Sequence, residues 1–190
     1  DRDLFLQNTE LGDFPIKTFM ASRGCPYPCT YCFNHAYRLL YQGKGKTVRK
    51  HSVDYVIDEI LTVKGKYPLE FVKFYDDIFV HKVDEWFEEF VRQYKKRVSL
   101  PFHCLIRANL ATEDMFKLLK EAGCYSISMS IEAGDPHFRN ELLKRNMSDE
   151  DITRAFDLSY RYGIKTFSNG ILGLPFSKIE HDIKTIDLTL

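Results

Sequence analysis

From Lys17 onward the chain alternates between two hydrophobic periods. Short runs rich in β-branched and aromatic residues are separated by stretches whose apolar residues recur three and four positions apart. The run "IKTFMAS" predicts a first strand over 16–22. "FVKFY" predicts a second over 71–75, "FHCLI" a third over 102–106, "YSISMSI" a fourth over 125–131 and "KTFSNGIL" a fifth over 165–172. Helices fall between them. Ser52 can cap one that carries Val53, Val56, Ile57, Ile60 and Leu61 on one face and stops at Gly65. A second over 83–97 buries Phe87, Phe90, Val91 and Tyr94. Thr112 caps "EDMFKLLKEA", which stops at Gly123, and a short helix follows near 136–144. Ser148 and Asp151 form a capping-box pair for a helix ending near Gly163. Ser177 and Glu180 form another, opening a last helix with Ile179, Ile183, Ile186 and Leu190 at helical spacing. Residues 1–15 show no sustained period and read as an entry segment or linker; 16–190 read as one domain. "YQGKGKTVRK" reads as a polar connection.

Strands separated by helices imply right-handed βαβ units and a parallel sheet, an α/β class. In such sheets ligands gather at the C-terminal ends of the strands. The first strand ends at a group of cysteines and the second at Asp76 and Asp77. The third ends at Arg107 with Asn109 close by, the fourth at Glu132 and the fifth at Gly173-Leu174-Pro175. Polar or glycine-rich chemistry thus falls at one end of every strand.

Composition narrows the partners. Of 190 residues 27 are basic and 27 acidic, so formal net charge is zero and gives no electrostatic reason to expect nucleic acid or an anionic membrane. Apolar residues make up 44%, enough for one packed core. No apolar run approaches the roughly 20 residues of a membrane span, and no signal-peptide pattern opens the chain. A reducing cytoplasm is the expected setting, where clustered cysteines point to metal binding or catalysis. The first residue is Asp1, so the sequence is expected to be cut from a longer one.

Cys25, Cys29 and Cys32 lie within "SRGCPYPCTYC", spaced C-x₃-C-x₂-C. Two metal chemistries fit. His35 could complete a closed zinc tetrahedron, making a zinc-stabilised binding module. Alternatively the three thiolates could hold an iron–sulfur cluster that normally takes four cysteines, leaving one iron open. Cys104 and Cys124 stand alone in apolar or strand-start contexts and read as buried structural residues. "GKGKTVRK" lacks the spacing of a phosphate-binding loop.

C-x₃-C-x₂-C after the first strand of a βα array resembles the signature of the radical S-adenosylmethionine (radical SAM) superfamily. The resemblance continues through "FVKFYDDIF", "CLIRANLATEDMFKLLKEAGCYSISMSIEAGD", "LLKRNMSDEDITRAFDLSYRYGI" and "GILGLP", from about Lys17 to Leu190. It implies a partial (βα) TIM-type barrel, here with five units visible and the sixth strand missing. It implies a 4Fe–4S cluster on Cys25, Cys29 and Cys32, with S-adenosylmethionine on the open iron. Reductive cleavage would then give a 5′-deoxyadenosyl radical for substrate modification.

Site residues follow from the same resemblance. Tyr31 and Phe33 would border the adenine. Asp76 or Asp77 would receive the amino group, where the family often has Gly-Gly-Glu. Arg107 would pair with the carboxylate or with Glu132. Glu132, with Ser130 on the same strand face, would meet the ribose hydroxyls. Ile171 and Gly173 would contact the adenine through backbone, although Asn169 replaces the motif's first glycine. An external electron donor such as flavodoxin or ferredoxin and a small-molecule substrate are implied partners. "DRDLF" resembles the linker after a cobalamin-binding domain. That points to a subgroup of radical methyltransferases and ring-forming enzymes, with cobalamin held by an upstream domain of a longer parent chain.

Overall fold

A computed structural model describes residues 2–189. Five strands form one parallel sheet: β1 (Ile16–Phe19), β4 (Phe71–Phe74), β5 (Phe102–Leu105), β6 (Cys124–Ser128) and β7 (Lys165–Phe167), adjacent in that order. A second, antiparallel pair joins β2 (Ser22–Arg23) to β3 (Arg49–Lys50). The α/β class and the five consecutive parallel units agree with expectation, and the architecture is that of a partial TIM-type barrel.

Helices α3 (Val53–Lys66), α4 (Glu85–Gln93), α5 (Glu113–Ala122) and α6 (Asp149–Arg161) follow β3, β4, β5 and β6. Their caps are largely those the sequence implies. Ser52, Thr112 and Ser148 each accept from a first-turn N–H, and Ser148 and Asp151 form the reciprocal box. Gly123 ends α5 in the left-handed region at φ 93°.

Several boundaries differ. The first predicted strand is two: the chain leaves the main sheet after Phe19 and pairs again through Ser22 and Arg23. Asp84 caps α4, and residues 94–98 continue it as a π-turn. The helix near 136–144 is a π-turn over Phe138–Leu142. The fifth strand is short, and its continuation stays beside the fourth through a Glu132–Gly170 bridge and the Ile131 N–H bond to Asn169 O at 3.1 Å. The expected Ser177–Glu180 box is absent: Lys178 stands at the N-cap of α7 (Ile179–Asp187), and its N–H donates to His181 Nδ1 at 2.8 Å. Leu190, expected on that helix, lies outside the described residues.

Two helices were not anticipated. Residues 2–6 form α1, whose Leu6 enters the core while Arg2 bonds Glu59 Oε1 at 2.8 Å. Phe33–Leu40 form α2, directly after the last clustered cysteine. Its Cys32 N-cap makes no side-chain bond, and its Phe33, Tyr37, Leu39 and Leu40 are exposed, so neither cap nor buried stripe announces it.

The core lies between the sheet and α3–α6. Alternate strand residues (Phe19, Val72, Phe74, Phe102, Cys104, Ile127) face the helices. Phe74 sits centrally, with Phe79, Phe90, Phe102 and Tyr94 at ring-centroid distances of 4.5, 5.5, 5.5 and 6.0 Å. Such edge-on and offset aromatic contacts add to burial. Phe74→Ala should cost about 3–5 kcal/mol. Urea unfolding checks it, and a loss below about 1 kcal/mol would show that Phe74 does not anchor the core.

Candidate functional site

The cysteine loop begins where β1 gives way to β2, and two acids from the end of β4 hold its backbone. Asp76 is fully buried. Its Oδ1 accepts from Ser22 N–H at 2.5 Å and Ser22 Oγ at 2.6 Å, and its Oδ2 from Ala21 N–H at 3.2 Å. Burial raises its pKa, and these hydrogen bonds oppose the rise by favouring the anion. Asp77 Oδ2 accepts from Gly24 N–H at 2.9 Å, and its Oδ1 from Asn34 Nδ2 at 2.6 Å. One acid thus grips the loop's entry, and the other links its start to the first turn of α2. Gly24 has φ 92°, and a Cβ there would meet Thr47 O at 1.9 Å, so only glycine fits.

The far side of the loop is tied to the segment after residue 138. Thr30 N–H donates to Leu143 O at 3.2 Å, and Thr30 Oγ1 to Leu142 O at 2.8 Å. That segment carries Arg145, which sequence reasoning passed over. Lys144 and Asn146 on either side of it take left-handed φ values of 53° and 52°. Arg139, fully buried, braces the segment through Met147 O at 3.0 Å, Ala133 O at 3.2 Å and the Asp149 carboxylate.

Two buried guanidiniums meet at one sulfur. Arg107 Nη1 lies 3.5 Å from Cys29 Sγ and Arg145 Nη1 4.0 Å. Arg107 Nη2 also donates to Arg145 O, and its Nε to Asn109 Oδ1 at 3.2 Å. Its guanidinium covers the Tyr27 ring at 3.7 Å. Burial, and then the like charge of Arg145, lower the Arg107 pKa. Holding two cations together out of water is costly unless anionic charge faces them. A thiolate at Cys29, or a thiolate-ligated cluster, is the charge this geometry accommodates.

Tyr31 and Glu132 extend the group. Tyr31 Oη donates to Glu132 Oε1 at 2.8 Å and accepts from Arg145 Nη1 at 3.0 Å. Burial raises the phenol's pKa, so it acts as a neutral donor. Glu132 is buried, with φ 69°, in the left-handed region that few non-glycine residues adopt. Ser130 O accepts from Arg145 Nη2 at 2.5 Å, and Ser130 Oγ from Asn169 Nδ2 at 3.2 Å.

Among the expected residues, Cys29, Tyr31, Arg107, Ser130 and Glu132 come together, linked through Arg145. The considered Arg107–Glu132 pair does not form, since Tyr31 takes the carboxylate. Ile171 donates its N–H to Glu132 O at 2.8 Å. Gly173 stands apart, its N–H on the Asp182 carboxylate at 3.1 Å and open space where a Cβ would lie. Cys25, Phe33, Asn34, His35 and Asp77 line a cleft of about 800 Å³ on the other side of the loop.

The donor set fits a cluster. All three loop thiols are free, and Cys104 and Cys124 are buried away in the core. Burial raises the Cys25 pKa, so binding metal there must release a proton. Among the described residues no three His, Cys, Asp or Glu side chains gather around one ion position. This holds for Cys25, Cys29 and Cys32 alone and equally for the zinc set that adds His35. Asp76→Asn should leave three donors facing one amide oxygen and loosen the loop by about 1–3 kcal/mol. Hydrogen exchange at residues 21–24 should accelerate while β4 and β5 stay protected; unchanged exchange at 21–24 would show that Asp76 does not hold the loop.

Similarity to known proteins agrees with this geometry. The chain is 26% identical over 161 residues to an uncharacterized methyltransferase of Pyrococcus horikoshii, covering 85% of this chain and 34% of that protein. It is 28% identical over 162 residues to the cytidylyl-2-hydroxyethylphosphonate methyltransferase of Streptomyces wedmorensis, covering 84% and 29%. The chain thus spans about a third of the curated relatives it matches. Its fold is similar to that of the radical S-adenosylmethionine methyltransferase TsrM of Kitasatospora setae, with a TM-score of 0.74 and 19% identity, covering 92% of this chain and 33% of that one. The radical SAM superfamily profile matches residues 20–189. The cofactor pair that the cysteine loop implies, a 4Fe–4S cluster and S-adenosylmethionine, is the pair this family uses. Cysteine loop, barrel and profile coincide over nearly the whole length, and the chain belongs to the radical SAM superfamily.

Proposed function

We propose that this chain is a radical SAM catalytic core whose Cys25, Cys29 and Cys32 hold a 4Fe–4S cluster with one iron left to S-adenosylmethionine. The observation that carries this reading is the convergence of Arg107 and Arg145 on Cys29 Sγ, at 3.5 and 4.0 Å, beside the Tyr31–Glu132 pair. With a cluster held by Cys25, Cys29 and Cys32 and S-adenosylmethionine on its open iron, the site would supply one-electron reductive cleavage of the sulfonium C–S bond for hydrogen abstraction from substrate.

The chain's own residues bind and orient. Arg107 and Arg145 offset negative charge at Cys29 in a low-dielectric setting. Glu132 offers carboxylate oxygens to the ribose hydroxyls, held at its angle by Tyr31. Tyr31 borders the adenine, and the backbone at Ile171, bonded to Glu132 O, meets its edge. Asp76 and Asp77 act through the loop they clamp.

Both curated relatives are named methyltransferases, and TsrM has also been described with cobalamin and a [4Fe–4S] cluster bound. The reaction class we propose is accordingly methyl transfer to a small molecule, with cobalamin held outside these residues. Flavodoxin or ferredoxin would deliver the electron, and the cytoplasm is the setting. Among the described residues no helix is long and apolar enough to cross a membrane.

Cys29→Ala should abolish cluster assembly and 5′-deoxyadenosine formation while leaving the circular dichroism unchanged. Iron and sulfide analysis after anaerobic reconstitution checks it; an active Cys29→Ala protein would overturn the assignment, as would stoichiometric zinc without S-adenosylmethionine cleavage. Tyr31→Phe removes one hydrogen bond to Glu132 and one from Arg145. It should weaken S-adenosylmethionine binding about 5- to 10-fold, equivalent to about 1–1.4 kcal/mol, with full cluster content; unchanged affinity would remove Tyr31 from the binding group.

A further inference from the structure

The sheet face turned away from the helices is polar across its middle. Thr18, Lys73, His103, Ser126 and Lys165 stand side by side in register, one from each of the five strands. In a barrel of this type such residues form one layer of the interior. Layers of this kind are usually filled by branched apolar side chains, yet this one holds two lysines, a histidine and two hydroxyls.

The layer contains no acid. Among the described residues neither Lys73 nor Lys165 has a carboxylate within ion-pair distance. Each ammonium lies instead against a ring, Lys73 Nζ 4.9 Å from the Tyr75 centroid and Lys165 Nζ 4.9 Å from that of Tyr125. Burial, and then the charge of Lys73, lower the His103 pKa, so the imidazole stays neutral between two serines. Its Nδ1 lies 2.8 Å from Ser126 Oγ and its Nε2 3.0 Å from Ser128 Oγ. Two ammonium groups without an acid and two hydroxyls fixed by His103 thus share one sheet face, where Phe71 and Tyr125 pack edge-on.

One strand leads from this layer to the site. Ser126, Ser128 and Ser130 follow at every second position, and the Ser130 carbonyl accepts from Arg145. Four residues of extended chain span about 13 Å. A molecule reaching from the layer to the Tyr31–Glu132 group would be extended, with an anionic end.

We propose that the Lys73–His103–Ser126–Lys165 layer is an oxyanion subsite that receives the phosphoryl or carboxylate end of the substrate. The proposal rests on the radical SAM reading for what lies at the substrate's other end.

Its test reads neither cluster nor cleavage. Inorganic phosphate and, separately, acetate are titrated calorimetrically into the reconstituted protein without S-adenosylmethionine. At least one should bind saturably, and K73Q/K165Q should weaken that binding tenfold or more. Tighter phosphate binding assigns a phosphoryl end to the substrate, and tighter acetate binding a carboxylate. Lys165 is exposed, so K165Q alone, with at least a threefold loss expected, serves if the double variant unfolds. No saturable binding of either anion, or binding indifferent to the lysines, would overturn the subsite. A protein that cleaves S-adenosylmethionine yet fails this test would lose the subsite alone.

Discussion

The grip of two carboxylates, Asp76 buried and Asp77 half-buried, on the backbone of residues 21–24 is the contact on which the rest of the site depends. A loop presenting three thiols cannot also use them to hold itself in place. Asp76 and Asp77 take over that task from the neighbouring strand, spending their oxygens on Ala21, Ser22, Gly24 and Asn34. Because β4 lies in the middle of the core, the loop inherits the rigidity of the Phe74 cluster. The cysteine geometry is thereby a property of the barrel rather than of the loop's own sequence.

The opposite wall is built by a different device. Arg139 is buried and satisfies itself on the carbonyls of Ala133 and Met147 and on the exposed Asp149 carboxylate, which shapes residues 143–147 into a ledge. The ledge aims Arg145 at Cys29 and Tyr31 at once. Positive charge is therefore stored at the site before any cofactor arrives, in a setting where burial makes it count for more than it would in water. Glu132 keeps its strained backbone because bonds to Asn169 and Ile171 hold the chain on both sides of it.

The sheet was legible because its strands carry two-residue alternation bounded by caps and glycines, and the cysteine loop because its spacing is local. Helix α2 was not legible, for its apolar residues Phe33, Tyr37 and Leu40 stay exposed and leave no buried stripe. Arg145 gave no signal either. It meets Cys29 across 116 positions, through a ledge whose left-handed residues at 144 and 146 follow no turn motif. Asp76 and Asp77 stood at the right strand end, but their partners depended on where the next strand had placed its backbone donors. The capping pair at Ser177 and Glu180 gave way to Lys178 and His181 because the helix starts one residue later than the box requires.

The central claim is that three cysteines leave one iron of a cubane open to S-adenosylmethionine. Mössbauer spectroscopy of the ⁵⁷Fe-reconstituted protein, with and without S-adenosylmethionine, addresses it directly. The account predicts four irons, of which one changes its isomer shift and quadrupole splitting when the cofactor is added while three do not. A spectrum that is indifferent to S-adenosylmethionine, or that shows no cubane, would contradict it.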